Sequence, residues 1–207
     1  MTEKKPFREG SMQKRVSILK AARDLFLMDG YLRSSVDSVA ARAGVSKRTV
    51  YDYYGDKRGL LLAVLQDTGQ SLMVSIRGAI EQNLTDADDL ELALMGFATQ
   101  IANDAFLSSD YAVLRRLFMA EADRLPELHD LWVANAPEDA LAERFAELAE
   151  AGLLQAPNSR LAAEHFVALT FLLALNNTVP GSDMAAGRVE QAIIDGVPVF
   201  LRAYGPR

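Results

Sequence analysis

The side chains best supplied for chemistry fall within eight residues, KRTVYDYY at 47–54. Lys47 and Arg48 can donate to guanine edges or phosphate oxygens, and the hydroxyls of Thr49, Tyr51 and Tyr53 can bond phosphate. Read as a helix, the segment turns Val50 and Tyr54 inward and spreads the others over its outer surface. A few residues on, Lys57 opens another helix after a Gly55-Asp56 turn. Its ammonium and the free amides of that first turn can meet one phosphate together, because a helix start carries partial positive charge. Catalytic chemistry is poorly supplied by comparison. The two histidines, His129 and His165, fall on separate predicted helices. Neither sits in HExxH spacing, and the chain has no GxSxG motif and no phosphate-binding P-loop. With no cysteine, thiolate ligands and disulfides are excluded. The expectation is a protein that is not an enzyme and holds neither metal nor cofactor.

A reading helix must be seated by its neighbours, and the preceding residues supply a seat. Ser35 can cap a short helix by accepting a bond from a free amide of its opening turn. Val36, Val39, Ala40 and Ala43 then recur at helical spacing and form one apolar face. Gly44 stops that helix, since glycine takes a left-handed backbone without a Cβ clash. Val45 is apolar at the corner, and Ser46 is a second N-cap. Two short helices joined this way make a helix-turn-helix, whose second helix enters a major groove. A helical hairpin with a merely solvated polar face would carry the same local pattern.

The ordered set Ala43-Gly44-Val45-Ser46, Thr49-Val50-Tyr51, Tyr54, Lys57 and Leu60-Leu61 resembles the DNA-binding region of the TetR family of bacterial regulators, over residues 14–65. By position, the resemblance implies that Ser35, Thr49, Tyr53 and Lys57 contact phosphate and that Lys47, Arg48 and Tyr51 face bases. Two residues depart from the usual pattern. Arg48 stands where many members carry glycine, which adds a long charged arm. Tyr54 stands where phenylalanine is usual, which adds a hydroxyl that needs a partner. Residues 115–131 and 149–154 are similar to the C-terminal part of the AefR-like subgroup. The family implies a homodimer, a near-palindromic double-stranded DNA operator, and a small-molecule effector.

Composition agrees with such a division of labour. The 207 residues carry a net charge of −6, with half of them apolar and 8% aromatic. Residues 1–66 hold 13 Lys and Arg against 7 Asp and Glu, whereas the remainder holds 9 against 21. A basic head on an acidic body fits phosphate binding at one end. Leucine and alanine abound, strand-forming runs are scarce, and no uninterrupted apolar run approaches the roughly 20 residues that cross a bilayer. The opening MTEKKPFREG lacks the apolar core of a signal peptide. The expected location is cytoplasmic, without a membrane partner.

The fold class expected is all-α with about nine to ten helices: a three-helix helix-turn-helix head and a helical body. Residues 1–11 read as a disordered arm, 12–56 as the DNA-binding domain, and 57–207 as the ligand-binding and dimerisation domain. Helices are predicted over about 12–28, 57–83, 87–107, 110–124, 127–135, 137–151, 158–177 and 185–203, besides the two short ones. Pro198 should kink the last or end it early. Residues 161–175 are apolar almost throughout, and Ala186, Val189, Ile193, Val197, Phe200 and Leu201 form a broad stripe. Such faces need a second partner, either a symmetry mate or the interior of one monomer. A ligand pocket should lie among the fifth to eighth helices, with Phe97, Phe118, Met119, Trp132, Phe166 and Asn176 as candidate walls. The function expected is a ligand-responsive DNA-binding regulator, a repressor released by its ligand. A helical scaffold that does not bind DNA, or a helical enzyme, is the alternative.

Overall fold

The computed structural model describes residues 9–85, 88–106, 117–119, 121, 125, 127–128, 137–176 and 183–206, and among these there is no strand. The helices are α1 (Glu9–Asp29), α2 (Val36–Ala43), α3 (Lys47–Tyr54), α4 (Lys57–Asn83), α5 (Leu90–Ile101), α6 (Pro137–Glu150), α7 (Ser159–Val167), α8 (Leu173–Asn176) and α9 (Asp183–Tyr204). π-helical turns follow α5 at Ala102–Phe106 and join α7 to α8 at Ala168–Leu172. The all-α expectation holds. The helices expected over 110–124 and 127–135 lie largely outside the described residues.

The chain forms two compact units, Met1–Thr68 with Arg116–Leu128, and Gly69–Arg115 with His129–Arg207. The boundary between Thr68 and Gly69 falls inside α4, which runs unbroken through it.

In the first unit, α1 buries Ile18, Ala21, Ala22, Leu25 and Phe26. It begins three residues earlier than expected. Gly10 and Ser11, placed by sequence in the arm, are helical, and residues 1–8 lie outside the described set. The connector after α1 is held by polar groups: the buried Ser34 hydroxyl lies 2.8 Å from the Gly30 carbonyl and 3.2 Å from that of Leu25. The start of α4 buries Leu60, Leu61, Val64 and Leu65. Each such side chain contributes about 1.5–3 kcal/mol when fully withdrawn from water. Arg23 of α1 is ion-paired to Asp67 of α4. Arg58 pairs with Glu127, and Leu125 and Leu128 are buried.

The second unit is built round an aromatic cluster. Phe166 meets Phe145 edge-on at 5.8 Å and Phe200 at 5.2 Å, and lies 6.0 Å from Phe97. Leu72, Ile76 and Ala79 of α4, Leu94 and Ile101 of α5, and Val189, Ile193 and Val197 of α9 complete this core. The C-terminal end of α4 is closed by Arg144, whose Nε donates to the Leu84 carbonyl at 3.1 Å.

Two expectations are corrected here. Pro198 does not end α9, which continues six residues past it. Proline removes one helical donor, leaving the carbonyl of residue 194 without it. Ile194 is exposed, so water can satisfy that carbonyl, while Val189, Ile193, Val197 and Phe200 anchor the helix on both sides of Pro198. The stripe read as surplus apolar surface is also mostly interior: those four residues are buried within the second unit. Among the described residues, the exposed large apolar side chains of α7 to α9 are Leu161, Leu173, Ile194 and Val199. Leu161 and Leu173 are twelve residues apart, an offset of about 120° on a regular helix. The extra residue of the intervening π-turn brings them close to the same side.

α4 alone among the described helices is long and apolar enough to cross a membrane by length and composition. Gln66, Asp67 and Gln70 interrupt its apolar surface, and Asp67 is committed to Arg23.

Candidate nucleic-acid interface

The helix-turn-helix forms by local chemistry. Ser35 has an extended backbone and accepts a bond from the Ser38 amide at 3.0 Å, capping α2. Asp37 in the first turn and Arg42 in the last suit the helix dipole. Gly44 takes φ 67°, ψ 31°, a left-handed conformation costly for residues with a Cβ. The Val45 amide then reaches back to the Ala40 carbonyl at 3.0 Å, which satisfies an orphan acceptor and turns the chain sharply. Ser46 caps α3 through the Thr49 amide at 3.1 Å, and its hydroxyl also meets Thr49 Oγ1 at 2.8 Å.

α3 divides as its sequence predicts. Val50 is 1% exposed and seats the helix, whereas the side chain of Arg48 is 90% exposed. Tyr51 and Lys47 are exposed beside it, so the three base-facing candidates share the open surface. Thr49 is half-buried with its hydroxyl on Ser46. Tyr53 and Tyr54 close the helix against α1. The Tyr53 hydroxyl lies 2.8 Å from Ser11 Oγ, and the Tyr54 hydroxyl donates to the Arg15 carbonyl at 3.2 Å. The hydroxyl that phenylalanine would lack therefore has its partner. Burial pushes the Tyr54 phenol above its ordinary range.

Not every predicted phosphate ligand is free. Lys57 donates to the Leu32 carbonyl at 3.3 Å and lies 4.4 Å above the Tyr31 ring. Burial lowers its pKa, and Glu121 opposes that shift. Asp56 caps α4, accepting from the Gly59 amide at 2.7 Å. Ser35 is exposed at the opening of α2.

Three residues went unrecognised from sequence. Ser11 braces Tyr53. Asp37 lies 2.7 Å from Lys47 Nζ, and its hydrogen bond raises the lysine pKa. Asp52 lies 4.0 Å from Arg48 Nε. Only the last was signalled, by its i, i+4 spacing.

The pocket candidates are distributed over both units. Phe97 and Phe166 adjoin in the aromatic core of the second unit and are fully buried there. Phe118 and Met119 belong to the first unit, with Met119 63% exposed. Trp132 lies outside the described residues, as does His129; Asn176 ends α8. An open depression of about 460 Å³ in the second unit is lined by Leu84, Asp88, Arg144, Glu147, Leu148 and Leu153, among others. Arg144 is already bonded to the Leu84 carbonyl and to Glu147 there. His165 Nδ1 meets the Tyr204 hydroxyl at 2.6 Å.

Comparison with known proteins bears on this geometry directly. The model of bacterial regulatory proteins of the TetR family matches residues 18–64. The model of the AefR-like transcriptional repressor C-terminal domain matches residues 92–206. The crystal structure of a protein from Mesorhizobium loti assigned to the TetR-family transcriptional regulators superimposes with a TM-score of 0.88 at 28% identity, covering 96% of this chain and 100% of that one. The flavonoid-responsive regulator FrrA superimposes with a TM-score of 0.67 at 27% identity, covering 95% and 99%. The transcriptional activator FasR of Mycolicibacterium smegmatis is 33% identical over 93 residues, 45% of this chain. That alignment spans 42% of the activator's own length. The helix-turn-helix model falls on the capped hairpin, and the C-terminal model alone covers more than half of the sequence. The chain belongs to the TetR family of bacterial transcriptional regulators, with a C-terminal domain of the AefR-like kind.

Proposed function

We propose that the protein binds a near-palindromic DNA operator as a homodimer and responds to a small-molecule effector. The observation that carries this reading is the division of α3, with Val50 buried beneath it and Lys47, Arg48 and Tyr51 open above. A helix so seated lays its cations along a major groove, where arginine and lysine pair with guanine N7 and O6. Ser35 and Thr49 sit at the capped starts of α2 and α3, where amides and hydroxyls favour a phosphate. Tyr53 and Lys57 would flank them, each exchanging a present partner, Ser11 or the Leu32 carbonyl, for a phosphate oxygen. The outward Leu161, Leu173, Ile194 and Val199 support a two-fold partner on α7 to α9, as the family resemblance implies.

The effector role rests on the family and on relatives such as the flavonoid-responsive regulator. Phe97 and Phe166 are close-packed, so a ligand touching them must open the aromatic core, which favours an apolar molecule. A ligand releases DNA only if it prefers the conformation that fits the operator badly. Repression is the mode proposed, on the AefR-like resemblance.

Selection of bound sequences from random duplex DNA tests the reading. Enrichment of a two-fold-symmetric site, with affinity falling steeply as salt rises, is expected. No enrichment at low ionic strength would reject it.

A further inference from the structure

Both cations that would reach base edges face carboxylates supplied by the hairpin itself. Asp37 is the informative one, because it reaches Lys47 from the other helix. The side chains of Lys47 and Asp37 are 54% and 64% exposed, and their ends are 2.7 Å apart. A solvated pair of this kind adds little to folding. Asp37 lies two residues beyond Ser35 on the surface that would approach DNA, where a carboxylate repels phosphate and weakens binding. The dipole of α2 accounts for an acid in this turn, but not for its contact with Lys47 on the other helix.

We propose that Asp37 is a specificity-determining residue, which with Lys47 forms a donor–acceptor couple that reads one G·C pair in each half-site. This rests on the operator-binding reading above. In the major groove a G·C pair presents guanine N7 and O6 as adjacent acceptors and cytosine N4 as a donor beside them. The Lys47 ammonium spans N7 and O6, and the neighbouring Asp37 carboxylate accepts from N4. An A·T pair in the same register sets the adenine N6 amine against the ammonium and thymine O4 against the carboxylate. Only the N7 contact then survives, with the O6 and N4 contacts both mismatched, so the couple rejects A·T more firmly than a lone lysine does. Asp37 also holds Lys47 away from the phosphates, where its charge would carry no sequence information.

Asp52 provides the control. It is an acid on the same hairpin, beside Arg48 and not Lys47. The experiment takes the duplex best selected by the wild-type chain, replaces each G·C pair in turn with A·T, and titrates the full-length wild type, Asp37→Ala and Asp52→Ala. In the wild type, one pair per half-site should show a preference for G·C of about fivefold or more. Asp37→Ala should lose part of that preference, keeping only what a lone lysine gives, while binding random duplex more tightly, since a repulsive charge has gone. Asp52→Ala should keep the preference. Unchanged base preferences in Asp37→Ala, or equal erosion in Asp52→Ala, would overturn the proposal. A wild type that binds no duplex at all would instead defeat the operator-binding reading beneath it.

Discussion

Arg48 and Val50 are two positions apart on α3 and should fail in opposite ways. The Arg48 side chain is 90% exposed, with its nearest carboxylate 4.0 Å away. A pair so long and so solvated contributes nothing measurable to stability. Arg48→Ala should therefore leave the denaturation midpoint where it is. On DNA it removes a base contact worth about 1–3 kcal/mol in each half-site. The half-sites are far enough apart for these losses to add, giving about 2–6 kcal/mol for a dimer, a fall of at least about thirtyfold in affinity. Val50 is 1% exposed. Val50→Ala deletes two buried methyls, about 1.6 kcal/mol of transfer energy, and the residual cavity brings the cost to about 2 kcal/mol. Its DNA affinity should fall only as far as the seat of α3 loosens. Chemical denaturation alongside DNA titration at two salt concentrations separates the two effects. If Arg48→Ala lowers stability by about 1 kcal/mol or more, or binds the selected operator as tightly as wild type, the outward face assigned to α3 is wrong.

Three further outcomes follow from the packing. Tyr54→Phe should cost about 1 kcal/mol at neutral pH, the net worth of the lost bond to the Arg15 carbonyl. Because burial raises the Tyr54 phenol in the folded state, the wild type loses stability as pH climbs above the ordinary value of 10.0, and the variant should lose less there in a denaturation series. A Cβ built on Gly196 would lie 2.7 Å from the Leu169 carbonyl oxygen, so Gly196→Ala should destabilise the second unit by about 1–3 kcal/mol, read from its thermal midpoint. Arg58 holds the Glu127 carboxyl below its usual range, a contribution present above about pH 4.5 and lost as pH falls through the depressed value. The stability advantage of wild type over Arg58→Met should accordingly shrink on acidification below that point, and a gap that is flat from pH 7 to pH 3 would refute the pairing.

What the sequence showed plainly was whatever short-range chemistry decides. Ser35 and Ser46 accept from amides three residues on, and Gly44 needs only its own freedom at φ, so α2, the corner and α3 could be placed to the residue. The bounds of α4 were equally legible, because Asp56 caps one end. Ser11 was not. A serine next to a glycine near a terminus reads as tail, and only the fold brings it to Tyr53, 42 positions away. Lys57 was legible as a cation at a helix start but not as a group already occupied, since Tyr31 and Leu32 reach it across the connector. Phe97, Phe118, Met119 and Phe166 were chosen as large and apolar on the right helices. Those properties do not distinguish a residue that lines a cavity from one that fills a core.

The last two helices show why periodicity alone misjudged the outward surface. A stripe at 3.6-residue spacing marks the wettest and driest sides of a helix only while the helix stays regular. The π-turn at Ala168–Leu172 adds a residue, so side chains before and after it change their relative faces. It occurs where α9 approaches closely, at Gly196, and the buried Thr170 hydroxyl there donates to the Phe166 carbonyl at 2.7 Å. Glycine on one helix and a widened turn on the other let the two backbones approach closely. That approach settles Val189, Ile193, Val197 and Phe200 inward and leaves Leu161, Leu173, Ile194 and Val199 exposed. Which apolar side chains of these helices stay exposed thus depends on a backbone irregularity that no count of apolar residues could reveal.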